Sequence, residues 1–176
     1  MPDQLFTTSP GFNQPLDLLS ACHRRIVGFT EVLQKLPGHL AQYGADADAR
    51  QAAERVLKYF DIAGQQHHDD EELNLFPILR AAALQEGNSE ILSLLEDLLA
   101  QHVEMTRAWQ ELRPHLLALT RGGPAASVPV QRFVALYRKH IPLEENFVLP
   151  YAERTLSASQ IETLGREMAR RRNVAC

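Results

Sequence analysis

The chain has 176 residues, of which 45% are hydrophobic and 23% charged, which is enough for one domain with an apolar core. A formal net charge of −4 at pH 7 argues against a general nucleic-acid-binding protein, and no stretch approaches the roughly 18 apolar residues of a membrane span. The amino terminus lacks the pattern of a signal peptide, and the two cysteines form no Cys-x-x-Cys pair, so we expect a cytoplasmic protein without nucleic-acid or membrane partners.

Four long helices are predicted from apolar residues that recur at helical spacing, over about residues 13–36, 46–85, 89–119 and 128–154. Pro37-Gly38 is expected to end the first helix, and Pro77 is expected to kink the second. The stretch from Arg121 to Ser127 is the clearest loop. The predicted inward residues include Ile26, Phe29 and Leu33 in the first helix, Phe60 and Ile78 in the second, Leu98, Met105 and Trp109 in the third, and Phe133, Tyr137, Phe147 and Tyr151 in the fourth.

No alternating strand pattern is present, so the sequence predicts an all-α fold in which residues 13–156 form an antiparallel four-helix bundle. Residues 1–12 are predicted to be an irregular segment. Ser157 and Gln160 indicate a capping box, so residues 157–176 are predicted to form a short extra C-terminal helix and a basic tail. The tail's run Arg170-Arg171-Arg172 is typical of solvated surface.

Two copies of one motif organise the chain. The stretches from His67 to Pro77 and from His140 to Pro150 both read His-x3-Glu-Glu-x4-Pro. Residues four apart on a helix lie one above the other on the same side, so each copy presents an imidazole beside a carboxylate.

Comparison of the copies indicates which pair points inward. His68 and Glu72 are also four residues apart, but Ile141 takes the place of His68 in the second copy and cannot bind metal. The pairs common to both copies are His67 with Glu71 and His140 with Glu144. We expect His68 and Glu72 to flank the site or face away, and Glu72 and Glu145 to accept hydrogen bonds from ligand imidazoles.

A lone histidine, His23 or His102, stands in the apolar stripe of the helix before each motif. One such histidine is more often a hydrogen-bonded core residue, and one His-x3-Glu pair is more often a surface pair. Six such groups in one core would all need partners, because burying an unpaired carboxylate costs several kcal/mol. The sequence therefore predicts a metal site formed by His23, His67, Glu71, His102, His140 and Glu144.

Imidazole and carboxylate ligands without thiolate suit iron, with manganese or zinc as alternatives. If both glutamates bridge two ions and each ion takes two histidines, coordination positions remain open for O₂, NO or peroxide. A closed structural site would leave none.

The order His, His-x3-Glu-Glu, His, His-x3-Glu-Glu, with Phe76-Pro77 after the first copy, resembles the hemerythrin-like family, or HHE cation-binding domain, over residues 15–155. The resemblance implies an up-and-down four-helix bundle around a non-haem di-iron centre. In that centre two Fe ions are bridged by two carboxylates and by oxide or hydroxide. It also implies that the six residues named above are the metal ligands, and that the partner is a small diatomic ligand or peroxide.

Two positions depart from the oxygen-carrying hemerythrins. Thr106 stands four residues after His102, where they have a second histidine, and Glu145 stands five residues after His140, where they have an aspartate ligand. The missing imidazole weakens the case for reversible oxygen transport. His39 is a candidate for a fifth imidazole if its loop folds over the end of the bundle.

We therefore expect a metal-ion-binding protein that binds, senses or handles O₂, NO or reactive oxygen species. One alternative is a di-iron oxidase or peroxidase-like enzyme, in which Tyr59, Tyr137 and Tyr151 would carry electrons. Another is a metal-stabilised iron storage or interaction module, in which the metal serves folding.

Overall fold

The computed structural model describes residues 10–123 and 128–174, and within these residues every regular element is helical. In chain order the elements are α1 (Pro15–Tyr43), α2 (Ala47–Lys58), π1 (Tyr59–Gly64), α3 (Gln65–Asp70), π2 (Glu71–Leu75), α4 (Phe76–Glu86), α5 (Ser89–Thr120), α6 (Val130–Leu143), π3 (Glu144–Val148), α7 (Leu149–Thr155) and α8 (Ala158–Arg171). The segments from α2 to α4 follow one another without a break and form one long helix, as do those from α6 to α7. The prediction of an all-α helical bundle is confirmed.

The predicted loop after the third long helix lies only partly within the described residues. Residues 121–123 form a turn, and residues 124–127 lie outside the described part of the chain. Most of the irregular segment predicted over residues 1–12 also lies outside it. No helix in the described residues is long and apolar enough to cross a membrane.

Helix α1 continues through Pro37 and Gly38 to Tyr43, so the predicted helix end at this pair is wrong. A proline in a helix interior removes one backbone hydrogen bond and costs about 3 kcal/mol. Leu36 and Leu40 are only 3% and 7% exposed, and burial of each side chain contributes roughly 1.5–3 kcal/mol. The free energy gained by burying these apolar side chains therefore exceeds the cost of the interior proline, and the helix continues past the end that the local sequence predicts.

Each repeated motif contains a π turn, in which the backbone hydrogen bond reaches five residues back instead of four. The Phe76 N–H donates to the Glu71 carbonyl, and the Leu149 N–H donates to the Glu144 carbonyl. The disturbance predicted at Pro77 is thus a π turn that ends two residues before the proline. Such single wide turns inside long helices occur frequently at functional sites.

The π turns change which side chains point inward. Phe147 was predicted to face the core but is 56% exposed, and Ile78 is only half-buried. Val148 and Leu79 are buried instead. Each π turn contains one residue more than an α turn, and this extra residue shifts the inward face by one position towards the C-terminus.

The long helices surround a core made of two apolar clusters. Helix α1 packs against α2 and α6, and α5 packs against α2, α4 and α6. The first cluster includes Ile26, Phe60, Met105 and Phe133, and the second includes Leu19, Leu75, Leu98 and Val148. Each of the four long helices contributes to both clusters, and along each one the predicted ligands lie where one contribution ends and the other begins, with Ile141 of the first cluster next to His140. A polar layer therefore crosses the middle of the bundle.

Helix α8 packs against α1, α3 and π2. The Ser157 hydroxyl accepts a hydrogen bond from the Gln160 N–H, and the Gln160 side chain accepts one from the Ser157 N–H, so the predicted capping box is confirmed. Gly165 allows the close approach of α8, because a Cβ at this position would lie 1.9 Å from the carbonyl oxygen of Phe12. The predicted domain boundary after residue 156 stays a prediction.

The basic tail is not simply solvated surface. Asp70, at the end of α3, is 0% exposed, and both of its oxygens are held by arginines of the tail. Arg172 Nη2 lies 2.6 Å from Asp70 Oδ2, and Arg171 hydrogen-bonds to both Asp70 and Asn74. The expectation of a solvated run is wrong for these two arginines, because α8 carries them back against α3.

Replacement of both Arg171 and Arg172 by alanine should lower the free energy of unfolding by about 3–5 kcal/mol, because it leaves the buried Asp70 carboxylate without a partner. The measurement is chemical denaturation followed by circular dichroism. Arg170→Ala is the matched control, since Arg170 is exposed and, among the described residues, pairs with the nearby Glu167, and a surface pair of this kind contributes about 0–1 kcal/mol. Equal losses in the two variants would contradict a structural role for the Asp70 pair.

Candidate metal centre

The six residues predicted from the repeated motif come together in the polar layer and form two overlapping groups. The first group is His23, His67, Glu71 and Glu144, and the second is Glu71, His102, His140 and Glu144. Within each group, one potential ligand atom from every residue lies within 4.8 Å of the others. Each of the six residues is only 1% exposed.

Glu71 directs one carboxylate oxygen towards each group. Its Oε1 lies 3.5 Å from His23 Nε2 and 3.4 Å from His67 Nε2. Its Oε2 lies 3.5 Å from His102 Nε2. The carboxylate therefore extends from one pair of histidines towards the other.

Glu144 is arranged in the same way. Its Oε2 lies 3.0 Å from His23 Nε2, and its Oε1 lies 3.1 Å from His140 Nε2. In the second group, His102 Nε2 and His140 Nε2 are 3.0 Å apart. Both carboxylates are thus placed between two pairs of imidazoles whose ring nitrogens converge.

The donor atoms of this layer fit metal ions better than they fit one another. Among the described residues, the buried side-chain atoms without a hydrogen-bond partner are His23 Nε2, His67 Nδ1, Glu71 Oε2, Glu144 Oε1 and Glu144 Oε2. Buried polar groups in native proteins are almost always hydrogen-bonded, and leaving one unpaired costs about 1–3 kcal/mol. Four of these five atoms are oxygens or nitrogens that point into the two groups, where cations would satisfy them.

Burial changes the pKa of the glutamate and of the histidine that the first motif contributes to the site. Burial, together with the neighbouring charge of Glu144, raises the pKa of Glu71 to about 7. Burial also lowers the pKa of His67 well below its ordinary value, so this imidazole is neutral, which is the form that binds metal. A cation between the carboxylates would favour their charged forms and remove the repulsion between them.

The second glutamate of each motif accepts a hydrogen bond from the lone histidine of another long helix. Glu145 Oε1 accepts a hydrogen bond from His23 Nδ1 at 2.5 Å, and Glu72 Oε1 accepts one from His102 Nδ1 at 2.8 Å. The prediction that Glu72 and Glu145 bond to the imidazoles is confirmed. Protonation at Nδ1 leaves the Nε2 lone pair directed into the site.

Gln101 plays the same part for His140, whose Nδ1 lies 3.1 Å from Gln101 Oε1. The sequence analysis did not single out this residue. A glutamine on a helix carries no motif signal, and only its position next to His102 along the chain would have drawn attention to it.

His68 flanks the site, as predicted, but it is buried. Its ring stacks on that of His102, with centroids 4.0 Å apart and an angle of 12° between the planes. Its Nε2 lies 3.3 Å from the hydroxyl of Tyr137. Burial raises the pKa of Tyr137, so this hydroxyl keeps its proton.

The hypothesis that His39 supplies a fifth imidazole is wrong. His39 Nε2 lies 2.9 Å from Asp46 Oδ1, and the residue belongs to neither group. Because α1 does not end at Pro37, His39 is part of that helix and is not on a loop that could fold over the bundle.

Comparison with known proteins agrees with this arrangement. Residues 14–152 match the family described as the hemerythrin HHE cation binding domain. The chain belongs to this family. It is also 32% identical over 165 residues to an uncharacterized protein of Haemophilus influenzae (strain ATCC 51907 / DSM 11121 / KW20 / Rd), and the match covers 93% of this chain and 92% of the relative. Hemerythrin HHE domains imply metal-ion binding, and the two His/Glu groups are the residues in the described chain that could provide it.

Glu71→Ala and Glu144→Ala should each lower the amount of metal bound per chain, because each substitution removes an oxygen from both groups of this HHE domain. The measurement is elemental analysis of protein dialysed to equilibrium against saturating metal, with the metal content of the dialysate subtracted. Glu72→Ala is the matched control. If Glu72→Ala lowered the metal content and Glu71→Ala did not, the assignment of the inward glutamate would be wrong.

Glu72→Gln and Glu145→Gln should weaken metal binding by about 10- to 100-fold while leaving the amount bound at saturation unchanged, because these residues orient His102 and His23 without entering either group. Competition with a chromogenic chelator measures the affinity. The exposed Glu90→Gln serves as a control for the loss of one charge. Unchanged affinity in both variants would show that the two hydrogen bonds do not orient the imidazoles.

Proposed function

We propose that this chain is a non-haem di-iron protein that binds, senses or handles O₂, NO or reactive oxygen species. The observation that carries the proposal is the sharing of Glu71 and Glu144 by two buried groups, with one oxygen of each carboxylate directed to each group. The proposed ligands are His23 and His67 for one ion, His102 and His140 for the other, and both glutamates for the pair.

The choice of iron is supported by the chemistry of the donors. Both groups consist of imidazoles and carboxylates, and Cys22, the cysteine in the described residues, belongs to neither. This set suits iron, with manganese or zinc as the alternatives that metal analysis would distinguish. Iron bound here would supply redox chemistry and open coordination positions, since four protein ligands leave a six-coordinate ion incomplete.

The chain's own residues determine what can reach such a centre. Apolar clusters lie on both sides of the polar layer, and the six proposed ligands are almost fully buried. Large or strongly hydrated substrates are therefore excluded, whereas small neutral molecules can enter an apolar core. The hydrogen bonds that Glu72 and Glu145 accept from His102 and His23 keep these two imidazoles in place while a ligand binds or leaves.

We also propose that the four long helices form an up-and-down antiparallel bundle. The support is the order in which each helix meets the two clusters. The first long helix passes from Leu19 in the second cluster to Ile26 in the first, and the second long helix passes from Phe60 in the first cluster to Leu75 in the second. The third and fourth long helices repeat these two directions.

Protein purified without oxygen should contain about two iron ions per chain, and its absorption spectrum should change when O₂, NO or peroxide is added. The physical reason is that ligand-to-metal absorption bands respond to a new ligand at an open position. Metal analysis and absorption spectroscopy make the measurement, with His67→Ala as the control that lacks one proposed ligand. An iron-loaded protein whose spectrum responds to none of the three reagents would contradict the proposal.

The same samples distinguish the two alternatives. Many turnovers with peroxide, abolished by His67→Ala, would favour a peroxidase-like enzyme over a binding or sensing protein. A large fall in the melting temperature on chelation, without any ligand-dependent spectral change, would favour a metal-stabilised storage or interaction module.

A further inference from the structure

A narrow cleft leads from the surface towards the second of the two groups. Its walls include the apolar side chains of Phe60, Met105 and Phe133, and its mouth includes Thr106, which is exposed on α5 one turn after His102. The cleft encloses about 30 Å³. A space of about 10–15 Å³ by this measure holds one water molecule, so the cleft has room for a molecule of about two heavy atoms.

The inner end of the cleft is polar. It is formed by His68 and Tyr137, whose Nε2 and hydroxyl groups are 3.3 Å apart. Both residues are buried, at 6% and 3% exposure. They provide two hydrogen-bonding groups at the buried end of the cleft, where the other buried side chains are apolar, whereas the polar residues Gln65 and Thr106 lie at its exposed mouth.

This inner end adjoins the His102 and His140 side of the polar layer. The ring of His68 stacks on His102 at 4.0 Å, and Tyr137 precedes His140 by one turn on the same helix. None of the six proposed ligands lines the cleft itself. The ring of His68 is nearer to that of His102, at 4.0 Å between centroids, than to that of His67, at 5.8 Å. The cleft therefore lies nearer to the second group than to the first.

We propose that this cleft admits a diatomic molecule of low polarity, such as NO or O₂, to the His102 and His140 side of the site, and that His68 and Tyr137 hold it there by hydrogen bonding. The proposal rests on the proposed function, because it assigns a route and two binding residues to that same centre. The size of the cleft excludes larger substrates, and its apolar walls disfavour ions and strongly hydrated molecules.

The first test is binding of xenon, an apolar probe that does not depend on metal chemistry. Crystals of the iron-loaded full chain, pressurised with xenon, should show an electron-density peak between Met105 and Tyr137. A cleft that stays empty while xenon occupies other cavities would overturn the proposal.

The second test obstructs the mouth of the cleft. Thr106→Phe should slow the association of NO with the iron-loaded protein by about tenfold, which corresponds to roughly 1.4 kcal/mol in the barrier. The rate is measured by stopped-flow absorbance, and the iron content should be unchanged. Val103→Phe is the control, because it adds the same ring to an exposed position outside the cleft. This control should associate with NO at the rate of the unaltered protein.

The third test removes a hydrogen bond. Tyr137→Phe should leave the association rate of NO unchanged and should raise its dissociation rate by about five- to tenfold, because one hydrogen bond to the ligand is lost. Equal rates in Thr106→Phe and Val103→Phe, or an unchanged dissociation rate in Tyr137→Phe, would contradict the cleft proposal alone. An iron-loaded protein whose spectrum did not respond to NO would instead contradict the proposed function, and this inference with it.

Discussion

The structure depends on how six buried polar side chains are satisfied in the middle of an apolar core. Four imidazoles and two carboxylates form one layer, and the side chains on either side of it are apolar. The carboxylates repel each other when both are charged, and several ring nitrogens and oxygens have no protein partner. Without cations in the layer, these unpaired polar groups would destabilise the bundle. Cations bound in this layer would use the same groups to link the four long helices.

The two adjacent glutamates of each motif have different roles. Glu71 and Glu144 point into the layer, whereas Glu72 and Glu145 point along it and hold the imidazoles of His102 and His23. The bond between His23 and Glu145 joins residues that are 122 positions apart in the chain. The site can therefore be ordered only after the first and fourth long helices have packed, so correct folding and correct ligand geometry depend on the same contacts.

Much of this arrangement could be predicted because the motif occurs twice. Comparison of the copies excluded His68 as the inward histidine, since Ile141 stands in its place, and it identified Glu72 and Glu145 as outer partners. Features that depend on contacts between distant segments could not be predicted in this way. The continuation of α1 through Pro37 depends on burial of Leu36 and Leu40, and the role of the arginine tail depends on α8 folding back. One signal was available: Asp70 stands where the second copy has the apolar Leu143, which indicates a buried position that needs a partner.

The π turn inside each motif limits how the metal-binding unit can be transplanted. Before the turn, His67 and Glu71 follow ordinary helical spacing, but after it the inward face begins one residue later, at Phe76 and Leu79. A designer who copied only the histidines and glutamates onto a regular α-helix would reproduce the ligands and misalign every core residue that follows. The smallest segment that can be transferred is therefore the whole stretch from the histidine to the proline. Its extra backbone residue lets both the ligands and the core residues that follow them point inward.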